Sequence, residues 1–154
     1  MPADHAPRLQ DCNCFAIRSA ARHVSQFYDQ FLVPVGLRAT QFPILATLKQ
    51  LGPLTINALA KELVMDRTTL TRNIQPLERD GWIRIRAIPS DRRAKELHLT
   101  AAGENRLRAA VKAWMRAQAQ FERSFGLEHA VELRTLLLSV VSNDFTLTRQ
   151  SADR

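Results

Sequence analysis

The sequence is poor in glycine and proline, with 5 and 7 of 154 residues. A fold built from strands and tight turns needs more of both, so their scarcity favours helices. No apolar run approaches the roughly 18 residues that cross a bilayer. The opening residues, MPADHAPRLQDC, lack the apolar segment of a signal peptide. We therefore expect the chain in the cytoplasm, with its thiols reduced.

Sequence motifs of enzymes are also missing. The chain has no Gly-rich phosphate loop, no Ser/His/Asp or Cys/His arrangement with recognisable spacing and no paired carboxylates. Its four histidines are scattered, and Cys12 and Cys14 lack zinc-finger spacing, so we expect neither metal nor cofactor. Positive charge is what the chain carries: 22 Lys and Arg against 15 Asp and Glu, a formal net charge of +7. That balance favours an acidic partner such as nucleic acid.

Apolar residues recur at helical spacing along most of the chain. A first helix is predicted from Leu9 to the breaker Pro34–Gly36, and a last one after Gly126. The predicted N-caps of the helices between them are Thr40, Thr55, Asp66 and Thr100. The long helix after Thr100 is expected to bury one stripe, formed by Leu107, Val111, Trp114, Gln118, Phe121 and Phe125.

Between Gly81 and Thr100 the apolar period changes from helical to alternating. Ile83 and Ile85 are followed, after the polar stretch IPSDRRAKE, by Leu97 and Leu99. This predicts an antiparallel hairpin with a long basic loop. The basic residues of that loop, suited to the negative minor groove of DNA, are Arg92, Arg93 and Lys95. Asp91 is a poor DNA ligand, and we expect it to stabilise the loop by pairing with its arginines.

The helix that follows Asp66 has an apolar stripe and an unusual polar face. Leu70, Ile74 and Leu77 form the stripe, while the opposite face carries Thr68, Thr71, Arg72, Gln75 and Arg79. Short hydroxyls allow close approach to DNA, and an arginine can make a bidentate contact to guanine. A solvated face is the alternative interpretation. The order helix, helix, basic hairpin, long helix favours a winged helix-turn-helix that binds DNA.

The stretch LAKELVMDRTTLTRNIQPLERDGWIRIRAIPSDRRAKELHLTAAG, Leu59 to Gly103, resembles the MarR family of winged-helix transcription regulators. GLRATQFPIL, Gly36 to Leu45, is similar to the family's entry into its second helix. The resemblance implies a homodimer that binds pseudo-palindromic operators in double-stranded DNA, usually as a repressor relieved by a small ligand or an oxidant. Carried over by position, Arg93, with Arg92, enters the minor groove. The implied recognition-helix contacts are Arg67, Thr68, Thr69, Thr71, Arg72 and Asn73.

The expected fold class is mainly α with a small β-hairpin wing: a winged helix-turn-helix with long N- and C-terminal dimerisation helices. We expect a disordered arm at 1–8, a helical dimerisation region at 9–36 and 101–148, the DNA-binding domain at 37–100 and a tail at 149–154. The terminal segments hold more apolar residues than a small winged domain can bury, which agrees with a dimer. One larger monomeric core is the alternative.

Two sensing mechanisms stay open. CFAIR, Cys14 to Arg18, with Tyr28 downstream, resembles the branch of the family that senses organic hydroperoxides through a cysteine at the start of the first helix. Fourteen residues of helix separate Cys14 from Tyr28 by about 21 Å, so only a partner's tyrosine could reach the thiol. Ala39 stands where that branch has a second tyrosine. Cys12 is a candidate resolving thiol; the alternative is that both cysteines are small buried hydrophobes.

The more common mechanism in the family uses a small aromatic or amphipathic ligand between the dimer helices and the winged domain. Candidate lining residues, each of which could equally be plain core, are Phe15, Ser19, His23, Phe27, Phe42 and Trp114. Two rival functions remain. One is an enzyme that turns over peroxide at Cys14. The other is a protein-binding winged helix without DNA contact, which the basic residues of the hairpin disfavour.

Overall fold

The computed structural model describes Ala6 and residues 8–145. Within these residues the chain forms six α-helices and one three-stranded sheet. The helices are α1 (Asn13–Leu32), α2 (Phe42–Leu51), α3 (Ile56–Glu62), α4 (Arg67–Arg79), α5 (Ala101–Phe125) and α6 (Leu127–Ser142). The strands are β1 (Leu54–Thr55), β2 (Ile83–Ile88) and β3 (Asp91–Leu99). The predicted mainly-α class with a hairpin wing is confirmed; the predicted tail and most of the arm lie outside the described residues.

The described residues fall into two compact units, the first reaching Ala117 and the second starting at Gln118. In the first unit a single core joins α1, the early part of α5 and all the elements between them except β1, whose Leu54 packs against it. None of the described helices is long and apolar enough to span a bilayer. The buried core residues are Leu32, Leu37, Ile44, Leu45, Leu48, Leu59, Leu70, Ile74, Leu77, Ile83, Leu97, Leu107, Ala110 and Ala113.

The second unit contains the end of α5 and all of α6. The rings of Phe121 and Phe125 lie 5.5 Å apart, and Arg134 pairs with Glu122 at 3.3 Å. Much of α6 is apolar yet exposed in the single chain: Leu136, Leu138 and Val141 are 58–65% exposed. An exposed apolar surface of this kind is costly in water and is typical of a site of association.

Three of the four predicted N-caps are confirmed. Thr55 Oγ1 accepts the Ala58 N–H (3.1 Å), Asp66 Oδ1 accepts the Thr69 N–H (2.8 Å), and Thr100 Oγ1 accepts the Gly103 N–H (3.0 Å). The prediction for Thr40 is wrong, because α2 begins one residue later, with Gln41 as its N-cap. A cap at Thr40 would bond the third helical residue, which is Pro43 and has no N–H.

The first helix begins at Asn13, four residues later than predicted. Residues Leu9–Asp11 form a separate 3₁₀ turn. The extended backbone of Cys12 (φ −90°, ψ 112°) separates this turn from α1. Cys12 is therefore the N-cap of α1 and lies just outside the helix. At the other end α1 stops as predicted, with Gly36 in the left-handed region at φ 87°.

The wing has longer strands than the sequence predicted. Instead of a long basic loop, β2 and β3 continue to a tip at Pro89 and Ser90, with a register shift near Ala87. Arg92, Arg93 and Lys95 consequently lie on β3. Charged residues replace apolar ones toward the tip, so the alternation that marks a strand could not be seen there. The sequence also did not reveal β1, a two-residue strand that pairs with β3 through Leu54↔Leu97 and Thr55↔Glu96.

The buried face of α5 differs from the predicted stripe. Leu107 is buried as expected and Trp114 is half-buried, but Val111 and Phe125 are exposed. The fully buried residues are instead small ones: Gly103, Ala110, Ala113 and Ala117. Small side chains let neighbouring elements approach the helix closely, and a hydrophobicity pattern gives them little weight.

Candidate nucleic-acid interface

Helix α4 buries its apolar stripe and exposes its polar face. Leu70, Ile74 and Leu77 are at most 2% exposed, packed in the core of the first unit. The helix continues through Pro76 to Arg79 and ends before Gly81, whose φ is 76°. On the polar side Thr71 and Asn73 are half-buried, while the exposed residues are Arg67, Thr68, Thr69, Arg72, Gln75 and Arg79.

Several polar groups of α4 are already used inside the helix. The Thr69 hydroxyl donates to Asp66 Oδ2 (2.6 Å), the Thr71 hydroxyl donates to the Arg67 carbonyl (2.8 Å), and Asn73 Nδ2 donates to the Thr69 carbonyl (3.0 Å). The hydroxyl and amide of Thr69 hold the pKa of the Asp66 carboxyl below its usual range. These bonds fix the first turn of α4, while the exposed Arg72 offers the planar set of donors of a guanidinium.

The wing lies beside α4 and carries its cations on two faces of β3. Side chains alternate along a strand, so Arg93 and Lys95 share the face of the buried Leu97, and Arg92 lies on the other. Asp91 Oδ1 accepts the backbone N–H of Arg93 at 3.0 Å. The predicted ion pair between Asp91 and the arginines does not occur among the described residues. Asp91 holds the backbone of the turn instead, as aspartates commonly do.

A cavity of about 440 Å³ opens between α3, α4 and β3. We call it the basic notch and define it by Thr55, Asn57, Arg67, Arg93 and Lys95. Arg67 Nη1 donates to Asn57 Oδ1 at 3.3 Å across it. None of the described side chains that line it is acidic. Sequence reasoning missed Asn57, because the pairing of β1 with β3 is what brings residues 55–57 to the wing.

The comparisons with known proteins agree with this geometry. The MarR family model matches residues 37–95. YwoH, an uncharacterized HTH-type transcriptional regulator of Bacillus subtilis, is 32% identical over 90 residues, which are 58% of this chain and only 65% of that protein's length. PecS, an HTH-type transcriptional regulator of Dickeya dadantii, is 30% identical over 117 residues, covering 74% of this chain and 70% of PecS. The chain belongs to the MarR family.

A solved structure supports the same assignment. The Mycobacterium tuberculosis regulator MosR, crystallised in complex with DNA, is 36% identical to this MarR-family chain, with a TM-score of 0.73. The match covers 86% of this chain and 98% of that one. The chain is thus a winged-helix transcription regulator of the MarR family and not an enzyme.

Polar contacts connect α1 and α5 of this MarR-family regulator to its winged domain. Asp29 Oδ1 accepts the N–H of Ala39 at 2.7 Å, which attaches α1 to the turn before α2. Arg106 of α5 stacks on Trp82 (4.7 Å from its ring centre) and donates to the Val35 carbonyl at 2.8 Å. Lys49 of α2 pairs with Glu104 of α5 at 2.9 Å, and this hydrogen bond and charge hold the pKa of Glu104 below its usual range.

Both cysteines are exposed free thiols in the single chain, so its own core does not bury them as small hydrophobes. Cys12 Sγ accepts the N–H of Phe15 at 3.4 Å, and Cys14 lies in the first turn of the 20-residue helix α1. Tyr28 is half-buried near the far end of the same helix, with its ring 5.6 Å from that of Phe27. One unbroken helix therefore keeps Cys14 and Tyr28 apart within a chain.

The six candidate ligand-pocket residues are not gathered in one place. Phe42 and Trp114 are stacked, with ring centres 6.1 Å apart, and both pack against the core. Phe27 packs edge-on against Phe31 at 5.5 Å. The other three, Phe15, Ser19 and His23, are spread along the first half of α1, at or near the surface. Among the residues that the structure describes, no group of three or more side chains suits a metal ion.

Proposed function

We propose that this regulator binds double-stranded DNA as a homodimer at pseudo-palindromic operators in the cytoplasm. Helix α4 lies in the major groove and the wing reaches the adjacent minor groove. Bound in this way the dimer represses transcription, and a small aromatic or amphipathic ligand relieves the binding. The observation that carries the proposal is the exposed front of α4, with Thr68, Arg72 and Gln75, directly beside a basic wing.

The chemistry of this surface suits DNA better than it suits water alone. A purely solvated helix face has no need of short hydroxyls, which are poor helix formers. Threonine at the leading edge lets the backbone approach phosphates, and Arg72 offers a planar fork to a guanine edge. A winged helix that binds only protein would not need three exposed cations at Arg92, Arg93 and Lys95.

Exposed apolar residues support a homodimer. Phe15 and Ile17 at the start of α1 are 41% and 42% exposed, and α6 has a larger apolar surface. Association of two copies about a two-fold axis would remove these surfaces from water. To enter successive major grooves on one side of a duplex, the two copies of α4 would have to lie about 34 Å apart, which is one turn of DNA.

Relief by a ligand needs a connection between the helices and the winged domain. The contacts of Asp29 with Ala39, Arg106 with Val35 and Lys49 with Glu104 are such connections. A ligand that shifts α1 or α5 would therefore change the position or freedom of α4. The stacked pair Phe42 and Trp114 is the aromatic surface closest in chemistry to what an aromatic ligand requires.

Thiol sensing through Cys14 is a second candidate signal, and one observation favours it. Cys14 is an exposed free thiol in the first turn of α1, where a hydroperoxide can reach its sulfur. Two residues at positions i and i+2 of a helix point in different directions. Cys12 lies before the helix in extended backbone, so this restriction does not apply to the pair Cys12 and Cys14.

Selection of bound duplexes from a random pool tests DNA binding, and sedimentation of the selected complex gives its stoichiometry, expected to be two chains per duplex. Arg72→Ala should bind the selected and random duplexes with more nearly equal affinity, because a base contact is lost. Arg93→Ala should weaken binding to both and lower the slope of log K against log salt by about one per half-site. Selection that recovers no sequence, or a complex with one chain, would overturn the proposal.

A further inference from the structure

The position of the basic notch relates it to the shape of duplex DNA. One wall is the first turn of α4, and the other is the inner face of β3, which leads to the wing tip. If α4 occupies a major groove and the wing the neighbouring minor groove, the surface between them meets the ridge that separates the two grooves. That ridge is a sugar–phosphate strand.

We infer, on the basis of the proposed DNA-binding mode, that the basic notch binds a backbone phosphodiester on this ridge. Arg67 contacts the phosphate and not a base, and Asn57 positions Arg67 for that contact. The resemblance to the MarR family implied only that Arg67 is a contact of the recognition helix. It did not say whether Arg67 contacts a base or a phosphate. The bond from Arg67 Nη1 to Asn57 Oδ1 distinguishes them, because it holds the guanidinium against α3 and away from the outer face of α4.

The composition of the notch suits a phosphodiester. Arg67, Arg93 and Lys95 supply three cations around about 440 Å³, with no acidic side chain among the described residues that line it. A guanidinium can make two parallel hydrogen bonds to phosphate oxygens, while a lysine supplies a point charge. Asn57 has an acceptor that holds Arg67 and an Nδ2 donor suited to a phosphate oxygen.

The pairing of β1 with β3 builds the notch. Thr55 lies opposite Glu96 on β3, so the next residue toward the wing tip, Lys95, lies beside the start of α3. Thr55 also caps α3 through Ala58, which fixes the turn that presents Asn57. Three segments distant in sequence thereby bring their polar groups to one place.

Asn57→Asp is the sharpest substitution. It keeps the shape and the acceptor for Arg67, so a purely positioning role would survive, but it adds a negative charge where a phosphate would lie. An acidic residue in the first turn of α3 is compatible with folding. We expect affinity for the selected duplex and for a random duplex to fall by roughly tenfold or more, because a charged hydrogen bond is replaced by repulsion.

Asn105→Asp is the matched control. Asn105 Oδ1 accepts a hydrogen bond from Arg108 Nη2 at 2.6 Å, so it reproduces an exposed asparagine–arginine pair on α5. The same change of net charge there should leave both affinities near those of wild type. Equal losses in the two variants would show a general effect of charge and would overturn the assignment of the notch.

Neutral phosphate analogues locate the contact. Single methylphosphonates placed along the selected duplex remove one negative charge at a time. Among the positions at which wild type loses affinity, one per half-site should lie on the ridge between the α4 and wing footprints. Arg67→Ala should bind the unmodified duplex more weakly, with a salt slope smaller by about one per half-site, and should be indifferent to that methylphosphonate. Arg72→Ala should remain sensitive to it.

The outcomes separate this inference from the proposed function. If wild type binds no duplex, both fail together. If wild type binds a selected duplex but Asn57→Asp and Arg67→Ala keep its affinity and salt slope, the DNA-binding proposal stands and the phosphate assignment is wrong. If Arg67→Ala instead relaxes base preference and stays sensitive to every methylphosphonate, Arg67 reads a base.

Discussion

Thr100 shows how one residue of the MarR-like signature holds the fold together. Its hydroxyl donates to the Gly81 carbonyl at 2.7 Å and accepts the N–H of Gly103 at 3.0 Å. Its own N–H donates to the Trp82 carbonyl at 3.1 Å. The residue thus ends the wing, caps α5 and fixes both to the segment that leaves α4. The spacing of Leu99, Thr100 and Gly103 in the sequence reflects this junction.

Gly103 is the residue where substitution should be most damaging. A Cβ there would overlap the carbonyl group of Trp82 and lie 2.8 Å from Leu99 Cδ1. Gly103→Ala should lower the free energy of unfolding by about 3 kcal/mol, although alanine is the better helix former. Urea denaturation monitored by circular dichroism gives the value. If Gly103→Ala were as stable as wild type, α5 could not approach the backbone of Trp82 this closely.

Gly81→Ala provides the contrast to Gly103→Ala. Nothing lies within 4 Å of a Cβ at Gly81, but its φ is +76°. Only backbone strain opposes alanine there, at roughly 1–2 kcal/mol. A smaller loss of stability in Gly81→Ala than in Gly103→Ala would show that overlap with the Trp82 carbonyl explains the effect at Gly103, and not the loss of a glycine in itself.

At the scale of elements, helices with long apolar periods could be predicted and short or charged elements could not. Helix α4 was predicted with its cap and its buried stripe, because Asp66 and the spacing of Leu70, Ile74 and Leu77 are local signals. Strand β1 has two residues and is a strand only because β3 pairs with it. The basic notch depends on that pairing, so the sequence supplied its cations but neither their grouping nor the role of Asn57.

The cap of α4 makes a pH-dependent contribution to stability. Hydrogen bonds from Thr69 lower the pKa of Asp66 from 3.8, so the ionised carboxyl is favoured in the folded state. A lowered folded-state pKa stabilises the protein fully above pH 3.8, and this contribution is lost as pH falls through the folded value. Asp66→Asn keeps a cap that cannot ionise. The stability of wild type relative to this variant should therefore shrink as acid is added.

Thr69→Val is the control for this effect. It removes the hydroxyl that is the largest cause of the shift and leaves the carboxyl in place. The free energy of unfolding of Thr69→Val, measured with urea across the same pH series, should fall less in acid than that of wild type. If wild type and Asp66→Asn lose stability in parallel, Asp66 does not titrate with folding.

At the scale of the whole molecule, the single chain leaves a large apolar surface in water. The apolar faces of α1 and α6 lie exposed, and no hydrophobic pattern distinguishes a face that meets a second copy from one that meets its own core. The same ambiguity affects the ligand. Phe42 and Trp114 pack against the core. An aromatic ring that fills a core has the same residue type and hydrophobicity as one that lines a ligand pocket, so the sequence does not distinguish the two. A hydroperoxide titration of DNA binding separates a thiol signal from a non-covalent ligand.

Organic hydroperoxide distinguishes the two signals. In the thiol mechanism the Cys14 thiolate attacks the peroxide, giving a sulfenic acid and an alcohol, and a second thiol, with Cys12 as the candidate, condenses with it to a disulfide and water. Cumene hydroperoxide should then weaken binding of wild type to the selected duplex by roughly 5- to 150-fold, the usual range of allosteric coupling. A dithiol reductant should restore the binding.

The cysteine variants identify the thiol that senses. Cys14→Ser should remain bound in the presence of the hydroperoxide, because serine is not oxidised. Cys12→Ser, the same change two residues away, should still respond through the sulfenic acid, since the first oxidation needs only Cys14. If the hydroperoxide released wild type and both variants from the duplex alike, or released none of them, Cys14 would be excluded as the sensor. A non-covalent ligand acting through the contacts between α1, α5 and the winged domain would then be the signal.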